Sequence, residues 1–197
     1  MINSRAKGIS FEQRIARSLR AWPGLDDMRR GLTQSRGAIE PDIIADNWPF
    51  WTELKHKRCV DVPGALGQAT NDLLATVERR LLGEAIGENP LAYRSWAGPM
   101  VIARDNGGDV FFAARHFTLT SNSFGPSLSR LPLSRGGRCV IGKSVFTLIS
   151  VEGWRNFRTA LCSFHDHHKR LVVVRSNGAP PVLVGWLEAL ERLWLER

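Results

Sequence analysis

The stretch Pro41-Asp42-Ile43-Ile44-Ala45-Asp46-Asn47-Trp48-Pro49-Phe50-Trp51-Thr52-Glu53-Leu54-Lys55-His56 decides the fold. Ile43 to Ala45 is a short apolar run. Asp46 to Pro49 carries turn residues. Phe50 to His56 is rich in strand formers. Together they predict a β-hairpin. With the turn centred between Asn47 and Trp48, Asp42 falls opposite Glu53, and the Cβ atoms of such a pair lie about 4.5–5.5 Å apart. Glu53 and Lys55 are two positions apart on one strand, so they leave the same face. Opposed carboxylates destabilise a sheet unless something positive lies between them. A Mg²⁺ ion resolves the conflict, because one or two carboxylates hold it while water and phosphate oxygens complete its shell. Lys55 adds an ammonium that can orient a water or offset charge on a phosphorus under attack. The bland alternative is a solvated strand with an ordinary Glu–Lys pair. Glu-x-Lys alone is common, whereas Pro-Asp, a hairpin and an apolar-flanked Glu-x-Lys in series is more specific.

Outward from the hairpin, the chain alternates helical and strand patterns. Residues 10–22 read as an amphipathic helix with Phe11, Ile15, Leu19 and Trp22 on one face. Ser10 and Gln13 suggest a capping box, and Pro23-Gly24 ends the helix. Residues 25–40 are basic and predict a short strand in looser structure. Residues 64–86 form the longest helical pattern, with an apolar stripe of Leu66, Ala69, Leu73, Leu74, Val77, Leu81 and Leu82. Gln68, Asp72 and Arg79 lie off that stripe. Residues 100–103 and 110–113 flank a Gly-rich turn and predict a second hairpin. Residues 120–137 read as a long loop, 139–141 and 145–149 as strands, 151–164 as a helix and 171–174 as a strand. Pro181–Leu195 reads as a terminal amphipathic helix. No internal repeat is evident.

Composition narrows the function classes. Of 197 residues, 43% are hydrophobic and 23% charged, which excludes a disordered or fibrous chain. No apolar run approaches the roughly 18 residues a membrane span needs. The start MINSRAKGIS lacks the apolar segment of a secretory signal. Cys59, Cys139 and Cys162 are isolated, which argues against a disulfide framework or a Cys-based zinc site. A reducing, intracellular and so cytoplasmic setting is expected (a host's cytoplasm if the chain is virus-encoded). The net charge of +8, spread along the chain, favours a polyanion such as nucleic acid as partner.

Pro41-Asp42 followed by Glu53-Leu54-Lys55 resembles the PD-(D/E)XK nuclease superfamily. Lys7-Gly8-Ile9-Ser10-Phe11-Glu12 is similar to the first helix of its Holliday-junction-resolvase-like branch. The resemblance covers roughly residues 5–118. It implies a restriction-endonuclease-like α/β core, with a mixed central sheet flanked by helices, over residues 1–119. Residues 120–197 would be an α/β C-terminal extension of unknown role, either separate or packed on the core. It implies that Asp42 and Glu53 hold Mg²⁺, with Mn²⁺ able to substitute, that Glu12 is a further acidic residue of the site, and that Lys55 is the catalytic lysine. On its helical position alone, Glu12 reads as solvent-facing. Gln68 falls where relatives place a polar residue near the site, with helix capping as its alternative role. Two features depart from the branch: Gln34-Ser35-Arg36 lies farther upstream than expected, and residues 120–197 have no counterpart.

The expected activity is metal-dependent endonucleolytic hydrolysis of DNA, at branched structures such as four-way junctions, by a homodimer. The alternatives are the same chemistry with another task (end-trimming, restriction or repair nicking) and a non-catalytic DNA-binding module. Arg29, Arg30, Arg36, Lys57 and Arg58 flank the site in sequence and are candidate phosphate contacts. Trp48, at the hairpin tip, either stacks on an unpaired base or packs against a partner chain. His56 points away from Lys55 and is expected to be packed or solvated. His165-Asp166-His167-His168 offers metal-ligand chemistry, but adjacent residues seldom converge on one ion, and a solvated loop is the expectation.

Overall fold

The computed structural model describes residues 4–31, 40–82, 96–115, 137–141, 143–163 and 167–196. Helix α1 (Ser4–Arg20) leads to two short strands, β1 (Arg29–Arg30) and β2 (Ile43–Ile44), and then to β3 (Phe50–Lys57). Helix α2 (Val62–Leu81), the hairpin β4 (Gly98–Asp105) and β5 (Val110–Arg115), and the strands β6 (Gly137–Ile141) and β7 (Ser144–Glu152) follow. Helix α3 (Phe157–Cys162), strands β8 (Arg170–Ser176) and β9 (Ala179–Trp186), and helix α4 (Leu187–Leu195) complete the order. One seven-stranded sheet runs β3-β4-β5-β9-β8-β7-β6. It is mixed: β3 and β4 are parallel, as are β7 and β8, and the other neighbours are antiparallel. The α/β class with a mixed, helix-flanked sheet is therefore as expected. Among the described residues no helix is long and apolar enough to cross a membrane.

Alternation along the strands builds two cores. Met100 and Ile102 point to the side covered by α1 and α4, where they meet Ile15, Leu19, Leu190 and Leu193. Val101 and Ala103 point to the other side and meet Ala65 and Leu66 of α2 and Phe157 and Leu161 of α3. A strand buried on both faces must be apolar at successive positions. This explains one correction. The terminal helical pattern expected from Pro181 contains a strand: Val182, Leu183, Val184 and Gly185 pair with β5, and only Leu187–Leu195 is helical. Likewise the helix expected over 151–164 is confined to Phe157–Cys162, because Val151 and Glu152 still pair with β8.

Other boundaries also move. Helix α1 starts at Ser4, so Ser10 lies inside it and does not cap it. The apolar stripe of α2 is only half used: Leu66 and Ala69 are buried, whereas Leu81 is 81% exposed. The expected hairpin is altered too, since β2 pairs with β1, and Asp42, just before β2, hydrogen-bonds to β3. Trp48 is fully buried against Trp22, Phe50 and Trp194 and donates to Thr52 Oγ1 at 2.8 Å, so base stacking is excluded for it. His56 packs beside Phe11. Arg36, His165, Asp166 and residues 120–136 of the loop expected over 120–137 lie outside the described residues, and Gly137 begins β6.

The sheet contains a repeat that the sequence pattern conceals. Strands β3 and β4 are parallel, joined by α2, and β4 turns back into β5. Strands β7 and β8 are parallel, joined by α3, and β8 turns back into β9. The shift that carries the β4–β5 pair Met100↔Ala114 onto Leu171↔Gly185 also carries Ile102↔Phe112 onto Val173↔Leu183. It superimposes Val101-Ile102-Ala103-Arg104-Asp105-Asn106-Gly107 on Val172-Val173-Val174-Arg175-Ser176-Asn177-Gly178. Gly107 and Gly178 have φ of 77° and 74°, the left-handed conformation that both turns need. The halves join antiparallel through β5 and β9, with Ala113 and its counterpart Val184 paired at the centre.

Candidate functional site

Strand β3 is an edge of the sheet, so its outer backbone groups need partners. Asp42 supplies two. Its N–H donates to Thr52 O at 2.9 Å, and its carboxylate accepts from Leu54 N–H at 2.6 Å. Asp42 thus brackets Glu53, close to the register expected from the turn centre. Both side chains are buried, Asp42 at 4% and Glu53 at 6% exposure. Burial, and then the Glu53 charge, push the Asp42 carboxyl up to about 7 from 3.8; Leu54 N–H and Lys55 oppose this, while Glu12 adds to it. The Glu53 carboxyl is also raised, chiefly by burial, against an opposing hydrogen bond and charge from Lys55.

Lys55 leaves β3 on the same side as Glu53. Its Nζ donates to Glu53 Oε1 and, at 3.0 Å, to Gln68 Oε1 on α2. Glu12 reaches the group from α1, half-buried, where Arg30 Nε donates to its Oε2. Asp72, one helical turn beyond Gln68, also raises Glu53. Glu12, Asp42, Glu53, Lys55 and Gln68 therefore gather at one sheet edge.

The basic residues divide. Arg30 is engaged with Glu12 and so is not available as a phosphate contact in this arrangement. Arg29, Lys57 and Arg58 are exposed, as a backbone contact requires. Sequence reasoning missed Asp72 as a neighbour of the site, although its i+4 spacing from Gln68 was there to read.

In donor type the site fits a hard divalent cation: all its acidic groups are carboxylates, and two are buried side by side at an electrostatic cost. As the side chains stand, Glu12 is turned to Arg30 and Glu53 to Lys55. Among the described residues no three His, Cys, Asp or Glu side chains form a ready metal cage. Asp42 and Glu53 are the pair that would hold an ion, which is within the one or two carboxylates Mg²⁺ takes. Comparison with protein-family models, curated proteins and solved structures finds no match to this chain.

Proposed function

We propose that the chain is a Mg²⁺-dependent endonuclease of the PD-(D/E)XK type that hydrolyses DNA at branched structures. The observation that carries this reading is the burial of Asp42 beside Glu53 with Lys55 on the same face. An edge strand needs one acceptor for Leu54 N–H. It does not need a second buried carboxylate next to it. A divalent cation held there would supply Lewis acidity toward a phosphoryl oxygen and lower the pKa of a water. Asp42 and Glu53 would hold it, with Glu12 as a further carboxylate nearby. Lys55, steadied by Gln68, orients the attacking water and offsets charge at the phosphorus. Exposed Arg29, Lys57 and Arg58, on a chain of net charge +8, bind the phosphate backbone without reading sequence.

In the second half of the sheet, Ile149 and Val151 occupy the positions of Glu53 and Lys55, being paired with Val172 and Val174 where those are paired with Val101 and Ala103. Among the described residues each chain then carries one such site, and coordinated cutting of two strands takes a homodimer. A non-catalytic DNA-binding module is the second reading. It is favoured by the ion pairs that Glu12 and Glu53 already make with Arg30 and Lys55.

The test incubates labelled four-way junctions, flaps, plain duplex and single strands with the full chain in Mg²⁺ or EDTA. Asp42→Asn and Lys55→Ala run alongside. Mg²⁺-dependent cutting of junctions, lost in both variants, is expected. Binding without cutting favours the module. Equal cutting of plain duplex removes the junction preference, and full activity of Asp42→Asn removes the site.

A further inference from the structure

On the α2 and α3 side of the sheet, a cavity of about 130 Å³ opens between the first turns of α2 and the β8–β9 turn. It is far larger than the roughly 10–15 Å³ that admits one water. Leu66, Val174 and Val182 give it apolar walls, and half-buried Trp154 and Arg115 add an aromatic ring and a guanidinium. Trp154 is set edge-on to Phe157, with ring centroids 5.8 Å apart.

Gly67 completes the wall and is the least expected residue in it. It lies within a 20-residue helix, where glycine is a poor helix former. A Cβ built there meets nothing within 4 Å, so no packing neighbour requires the glycine. What the bare Cα preserves is the opening. The next residue, Gln68, accepts the Lys55 hydrogen bond. The cavity, over β9 and β8, and the carboxylate site, at the β3 edge, thus lie on the two sides of α2.

We propose that this cavity receives one unpaired nucleobase of the DNA substrate, across α2 from the carboxylate site. The inference rests on reading the chain as a DNA-binding nuclease. An aromatic wall and a guanidinium over an apolar floor suit a flat π-system on an anionic backbone. Paired bases stay within the duplex stack, so an unpaired or everted nucleotide is what supplies the ring. The cavity selects substrates with a local break in pairing, and Gly67 keeps it open.

The test measures binding of the full chain to fluorescent flaps by anisotropy in EDTA. One set of flaps carries normal bases in the unpaired strand and the other carries abasic nucleotides. Wild type should prefer the normal flap about tenfold. Gly67→Leu, which fills open space, and Trp154→Ala should bring that ratio to about one, and Trp154→Phe should restore it. Melting curves check that each variant folds. No preference in wild type, or a preference retained by Gly67→Leu, overturns the proposal. Cleavage assays on the same substrates separate the two claims. Cutting without base preference sinks the cavity and leaves the nuclease; base preference without cutting does the reverse; no DNA binding at all sinks both.

Discussion

Asp42 satisfies the edge of β3 and sits where a cation would be held, and its protonation joins the two roles. Its carboxyl titrates near 7 in the folded chain because burial and then Glu53 disfavour the charge, against 3.8 ordinarily. Between about pH 4 and 7 the folded state therefore holds a proton that the unfolded state releases, so stability falls as pH rises through that window and levels off above it. In EDTA the melting midpoint should drop by several degrees from pH 5 to pH 8, since about 1 kcal/mol moves a chain of this size by about 2–4 °C. Asp42→Asn still offers Leu54 an acceptor oxygen and should flatten the profile. Added Mg²⁺ should raise the midpoint at pH 8 more than at pH 5, because binding competes with the proton. A wild-type midpoint that is level across this range would contradict the buried pair. For Lys55→Ala, single-turnover cleavage should slow about 10²–10³-fold with DNA affinity nearly unchanged, as for loss of one preorganised donor. At this scale much was legible. The turn centre placed Asp42 beside Glu53, and strand alternation put Lys55 on Glu53's face. That Arg30 holds Glu12 was not legible, because it depends on how β1 packs on α1, which no local pattern encodes.

Elements were legible where one face is buried and blurred where two are or none is. The β4–β5 hairpin was clear because Gly107 supplies a left-handed turn between two apolar runs. The β9–α4 junction was not: Val182 to Trp186 is buried on both faces, and its continuous apolar run merges with the helical stripe of Leu187, Leu190 and Leu193. Helix α2 shows the opposite failure, in which a regular stripe outruns the sheet it packs on. Its first turns lie on β3 and β4, while Leu74 and Leu81 remain 59% and 81% exposed. Identical substitutions along the stripe should then differ in cost. Leu66→Ala should lose about 2–5 kcal/mol in urea unfolding, whereas Leu81→Ala should stay within about 0.5 kcal/mol. Equal losses would mean that the far end of α2 is covered.

At the scale of the whole molecule, the two halves share strand pairing and register but differ in chemistry. The first carries the carboxylates and Lys55, and the second carries Ile149 and Val151 in the matching places. The repeat escaped sequence reading because its clearest signature is seven residues long, Val101–Gly107 against Val172–Gly178, and because α2 and α3 differ in length. The proposed site lies in one half, but that half shares its packing with the other. Leu171, Val173, Leu183, Leu190, Leu193 and Trp194 share one core with Phe11, Leu19, Trp22 and Trp48. Trp194 Nε1 donates to Pro23 O at 3.0 Å, tying the last helix to the turn after the first. Strand β5, central in the sheet, becomes a bare apolar edge if β9 is removed. A chain ending at residue 119 should therefore show no cooperative thermal transition and should bind a hydrophobic dye, whereas the full chain should melt in one step. Cooperative melting of the shortened chain, with Mg²⁺-dependent cutting retained, would show that residues 120–197 are an addition and not half of the core.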